Sequence, residues 1–188
     1  MDRDRVLRET TRWIRDWVID LELCPFAGAP FADGRVRLVV SEAETPAALC
    51  SDLEDELELL RASPSEEVET TLLLHPRVLL DFADYNRFLD VVDDVLARAS
   101  VIGEIQVASF HPHYRFAGSE PDDLTNYTNR SPYPMLHLIR EDSITRAVAA
   151  HGNPEGIPDR NRQRLLELGE EGLGPILAKC GVPGAWDE

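Results

Sequence analysis

The sequence predicts an α/β (α+β) fold: one domain across residues 1–188, with a small mixed sheet flanked by helices. Three observations predict it. Short apolar runs alternate with long stretches whose apolar residues recur at three and four. Two of the short runs, "TLLLHP" and "VASFHP", end alike in His-Pro and are separated by a helical stretch of about twenty residues, the signature of a strand–helix–strand crossover. A long polar, proline-rich loop, not a helix, leads into the last strand. The expected sheet therefore has about four strands, three parallel and one antiparallel, in an arrangement near ferredoxin-like.

The elements follow in order. Residues 4–22 read as an amphipathic helix, with Val6, Thr10, Trp13, Ile14, Trp17, Val18 and Leu21 on one face and Pro25 as the stop. "PFAGAPFADG" reads as a loop and "RVRLVV" (35–40) as the first strand. Thr45 as N-cap with Pro46 at the first helical position opens the next helix, striped by Leu49, Leu53, Leu57 and Leu60. "TTLLL" (70–74) is the second strand, and 80–98 a helix with Tyr85, Phe88, Leu89, Val92, Val95 and Leu96 facing inward. "EIQVASF" (104–110) and "PMLHLIR" (134–140) are the third and fourth strands. "DSITRAVAAH", capped by Asp142 or Ser143, and residues 159–180 complete the chain as helices.

Composition narrows the function. A net charge of −16 opposes binding to the phosphate backbone of nucleic acid and to anionic membrane surfaces. Lys179 is the only lysine, which leaves little room for Schiff-base chemistry. Cys24, Cys50 and Cys180 are few, odd in number and widely spaced, so neither a disulfide framework nor a CxxC metal site is expected. "MDRDRVLRET" is charged with no apolar run behind it, and no run reaches the ~18 residues of a membrane span, so the expected compartment is the cytoplasm.

The crossover sets the expected site. If the two His-Pro strands are parallel, His75 and His111 emerge at the same carboxyl edge, roughly 5–10 Å apart, where open α/β sheets bind ligands. The fourth strand starts at that edge, so loop 111–134 must lie across it as a lid or wall; loops this long are functional or disordered, and this one is too aromatic and proline-fixed for disorder. His111 and His113 flank Pro112, and with His75 they supply three nitrogens for zinc or iron, completed by Asp122 or Asp123; the alternative is hydrogen-bonded and solvated histidines. Arg130, with Asn126, Asn129 and Arg115, suits an anion, or else Arg130 ties down the loop through Asp122 or Asp123. His137 shares a strand face with Met135 and Ile139, either as a satisfied buried group or as a site residue near the edge. Cys24 follows a helix carboxyl end, which raises a thiol pKa, and is the outside candidate for a nucleophile.

Gly-rich phosphate loops, GxSxG, HExxH and GxGxxG are all missing from the sequence. The blocks "LCPFA" (23–27), "ASFHPHYRFAG" (108–118) and "TNRSPYPMLHLIRE" (128–141) resemble a widespread bacterial family, with relatives in plant plastids, catalogued as a domain of unknown function. The likeness runs through most of the chain, and its blocks fall on Cys24, Pro25, Phe26, Phe110, His111, Pro112, Asn129, Arg130, Ser131, Pro132, His137 and Arg140. It implies family membership and carries no activity, cofactor or residue role to those positions.

Three functions are thus expected of the same loop and edge. The first is an enzyme or binding protein for a small anionic molecule, with His75, His111 and His113 in acid/base work and Arg130 as anion holder. The second is a metal or haem binder through the three histidines. The third is a non-catalytic oligomer or partner-binding protein, anchored through Phe116, Tyr127, Arg130 and Tyr133.

Overall fold

A computed structural model describes residues 2–183. Strands β1 (Val36–Val40), β2 (Thr70–Leu74), β3 (Ile105–Phe110) and β4 (Met135–Arg140) form one sheet in the order β1-β2-β4-β3. β1 pairs parallel with β2, and β4 runs antiparallel to both of its neighbours, so three strands point one way and one the other, as the sequence predicts. β4 is inserted between β2 and β3. The crossover between those two therefore skips a strand, and this split βαβ unit is what the fold shares with ferredoxin-like sheets.

Helices cover both faces. Helix α1 (Arg3–Arg12) and the short α2 (Gly28–Ala32) precede β1; α3 (Pro46–Ala62) and α4 (Phe82–Arg98) flank β2; α5 (Glu141–Ala150) and α6 (Ile157–Cys180) follow β4. Side chains alternate across a strand. Leu73, Leu136 and Leu138 accordingly pack into one core with the leucine stripe of α3 and with Tyr85, Phe88, Val92 and Val95 of α4. Leu72, Leu74 and Met135 pack into the second core with Val6, Trp13, Trp17 and the Leu165, Leu173 and Leu177 side chains of α6.

Local chemistry fixes the ends. Thr45 Oγ1 accepts from Ala48 N at 3.2 Å with Pro46 in the first turn, the expected cap of α3. At the other end of α3, Arg140 donates to Leu60 O (2.5 Å), Ser63 O (2.6 Å) and Val68 O (3.1 Å), which satisfies terminal carbonyls with a cation at the negative pole of the helix. Arg37 and Glu56 form a two-pronged ion pair, at 2.8 and 2.9 Å, that ties β1 to α3.

The structure departs from the sequence expectations at four places. The continuous helix expected over 4–22 ends at Arg12, and Trp13–Ile19 is a π-helical turn with Asp20 N donating to Arg15 O and Leu23 N to Val18 O. Widening to the i→i+5 spacing accompanies two long-range bonds, from Trp13 Nε1 to Arg130 O and from Trp17 Nε1 to Tyr127 O. The expected loop "PFAGAPFADG" contains α2. β4 passes straight into α5 with Arg140 at the N-cap position, so Asp142 and Ser143 lie within the first turn and do not cap it. α6 begins at Ile157 and is kinked at Gly169, whose φ of +60° with ψ of 179° is glycine-only backbone.

Tyr85 closes the β3–β4 pair. Its buried hydroxyl donates to Met135 O at 2.9 Å and accepts from Phe110 N at 3.1 Å, bridging the last register pair of the two strands. Tyr85→Phe should leave a buried donor and a buried acceptor unpaired. The expected loss is about 2 kcal/mol, or about 4–8 °C in Tm by calorimetry; a variant that melts with the wild type would show that the bridge carries no stability.

Candidate functional site

The carboxyl edge brings His75 and His111 together, as the crossover geometry requires. Tyr85 lies between the two imidazoles, stacked 5.7 Å from His75 and tilted at 5.1 Å from His111. Both histidines are wholly buried. His75 Nδ1 donates to Val78 O, and its Nε2 is buried with no partner among the described residues. His111 Nδ1 accepts from His113 N, which makes Nε2 the protonated nitrogen, donating to Leu79 O at 3.2 Å. Burial is the leading cause that lowers both to about 4 from the ordinary 6.5, so both are neutral near pH 7.

This arrangement does not form the expected metal set. Among the described residues no group of three or more His, Cys, Asp or Glu side chains is placed to hold an ion. His111 has both nitrogens committed to backbone, His113 is exposed with its ring 5.9 Å from that of His111, and Asp123 is turned onto Thr125 as the cap of a 3-10 turn. A zinc or iron site built from His75, His111 and His113 together is not supported by this arrangement.

The loop residues expected to grip an anion are occupied with the loop itself. Arg130 is 6 % exposed, donates to Tyr114 O and Pro121 O, and lies 4.2 Å over the ring of Tyr127. It therefore pins the loop through backbone carbonyls, not through Asp122 or Asp123. Asn126 is buried: its Oδ1 accepts from Phe116 N and Ser119 Oγ, and its Nδ2 donates to Glu120 O. Asn129 Nδ2 donates to Ser109 O, and its carbonyl accepts from His111 N, which covers the end of β3. Arg115 is exposed on the loop surface.

A cavity lies instead on the other face of the sheet, between β2, β4, β3 and the π-helical turn. It measures ≈ 340 Å³ and is walled by Trp13, Ile14, Val18, Phe26, Leu72 and Phe110, with Ile144 and Ala147 of α5 as a roof. His137 and Thr70 lie on its floor; Glu69 and Ser143 also border it, with Glu69 paired to Arg35 and Ser143 Oγ accepting from Arg146. Thr70 Oγ1 donates to Leu138 O at 2.6 Å, so its one proton is spent and it must accept from His137 Nε2 at 2.8 Å. That fixes the tautomer: Nε2 carries the proton, and Nδ1 is a lone-pair acceptor with no partner among the described residues, on a ring that borders the cavity. Burial lowers His137 to about 4, which keeps it neutral.

Cys24 stands in the cavity wall. Burial pushes its thiol pKa up, while N–H bonds from Phe26 and Ala27 and the charge of Arg160 pull the other way. The group stays a thiol near neutral pH, which weakens the nucleophile reading. The sequence does not mark Thr70, Ala108 and Phe110 as cavity residues; Trp13, which it assigns to core, is the available signal.

The buried imidazoles make the fold acid-labile. An unfolded chain takes up protons near pH 6.5 that the folded chain refuses until about 4, so in that window the unfolded state binds more protons and stability falls as pH falls. Each of His75, His111 and His137 should cost about 1.4 kcal/mol per pH unit below 6.5, with its full contribution intact above it. Urea unfolding at pH 7 and pH 5 measures this, and His75→Gln should flatten the slope; a slope unaffected by that change would show His75 is not held neutral.

Among the described residues no helix is long and apolar enough to cross a membrane. Searches of curated proteins and of solved structures returned no match. A family model does match, over residues 5–174, and it spans most of α1, all four strands, the loop and the cavity walls. The chain belongs to the family described as protein of unknown function (DUF1415).

Proposed function

We propose that the protein binds a small, largely apolar molecule bearing one hydrogen-bond donor in the cavity beside the sheet. The observation that carries this is the contrast between an aromatic and aliphatic wall and an oriented acceptor, His137 Nδ1, that has no partner among the described residues, while the carboxylate of Glu69 and the hydroxyl of Ser143 are engaged by Arg35 and Arg146. Cavities of this size and lining are typical of small-molecule sites, where burial supplies affinity and a few polar groups fix orientation. A neutral imidazole with a pKa of about 4 is a weak base, and the Cys24 thiol is protonated, so the reading is binding and not transformation.

The test uses 4-butylphenol, which has a donor, and 4-butylanisole, which has lost it. By calorimetric titration the phenol should bind about fivefold more tightly, the worth of one net hydrogen bond. His137→Leu should erase the difference between the two, and Ala108→Leu, which narrows the cavity from β3, should weaken both about tenfold or more. Absence of binding by either probe, or affinities untouched by Ala108→Leu, would overturn the proposal.

A further inference from the structure

A second pocket of ≈ 320 Å³ adjoins the first. Val18, Cys24 and Phe110 line both, so these three side chains are a common partition between them. The second pocket differs in character. Thr128 and Asn129 of the loop and Asn161 and Arg162 of α6 contribute to its wall. Asn161 Nδ2 donates to Leu23 O at 2.7 Å and Asn129 Nδ2 to Ser109 O, so each amide spends one of its two N–H donors on a backbone carbonyl and is held in place. Among the described residues of that wall Arg162 is the one cation. Its contact with Asp159 is a single 3.3 Å bond between side chains that are 61 % and 84 % exposed. Pairs so exposed contribute little and exchange readily. A guanidinium has five N–H donors, so although Arg162 also lies within electrostatic reach of Asp123, it retains donors for a ligand.

Resting on the apolar-cavity reading above, we infer that the two pockets form one bipartite site for an elongated amphipathic carboxylate. The apolar portion lies against Trp13, Leu72 and Phe110, the chain passes the Val18–Cys24–Phe110 partition, and the carboxylate meets Arg162. Membrane-like nonspecific adsorption is not the same thing, because it requires neither Arg162 nor the partition. The site takes over the anion-holding role that loop residue Arg130 is unable to fill.

Decanoate and 1-decanol test the inference, with 4-butylphenol as the reporter for the first pocket alone. Decanoate should bind the wild type; Arg162→Gln should weaken it about five- to tenfold and Arg162→Lys less, while 1-decanol and 4-butylphenol change less than about twofold in either variant. Decanoate should also slow alkylation of Cys24 by iodoacetamide without slowing that of Cys50, which packs on the opposite face of the sheet. Decanoate affinity unchanged by Arg162→Gln, or Cys24 unprotected at saturating decanoate, would overturn the bipartite site; if 4-butylphenol still binds, the apolar cavity survives. If 4-butylphenol fails as well, the reading beneath falls with it.

Discussion

The insertion of β4 between β2 and β3 is the constraint on which the rest depends. A central strand is bonded on both edges and buried on both faces, so each of its side chains must find apolar company or an internal partner. Leu136 and Leu138 meet the first demand against α3 and α4. His137, facing the other way, meets the second only because Thr70, near the start of β2, presents an oxygen whose own proton is already given to Leu138. That relay converts a structural obligation into an oriented lone pair at the bottom of a cavity. The same insertion separates β2 from β3 by a full strand, which opens the space that Tyr85 fills between His75 and His111.

The loop and the π-helical turn are held in place by each other. Backbone carbonyls of a loop need partners when covered. Here the indoles of Trp13 and Trp17 serve Arg130 and Tyr127, while the Arg130 guanidinium serves Tyr114 and Pro121. Side chains with the chemistry to hold a ligand instead order about twenty residues, at a cost of order 1 kcal/mol for each residue fixed. Functional capacity moves accordingly from the loop to the surfaces it shelters.

Much of the fold was legible in the sequence, and the reasons are local. Periodicity located the four strands, and the repeated strand-His-Pro ending gave their relative directions. The Thr45–Pro46 start of α3 was readable because its cap involves neighbours in sequence. Arg130 was not, since its partners are carbonyls, which any residue supplies and no side-chain pattern reveals. Thr70 and His137 sit 67 residues apart, and their pairing depends on a register that only the folded sheet sets. The turn at Trp13–Ile19 is equally hidden, because its residues read as an ordinary amphipathic helix until the loop carbonyls are in position. The cavity is a property of what three elements leave unfilled, and apolar residues that line space look in sequence like those that fill it.

Trp13 has one more consequence. Its ring forms part of the cavity wall while its N–H is anchored to Arg130 O, so the indole is held in place against whatever fills the cavity. The molecule thus carries its own optical gauge of occupancy: a ligand packed beside that indole should register in its emission colour without any dye or label.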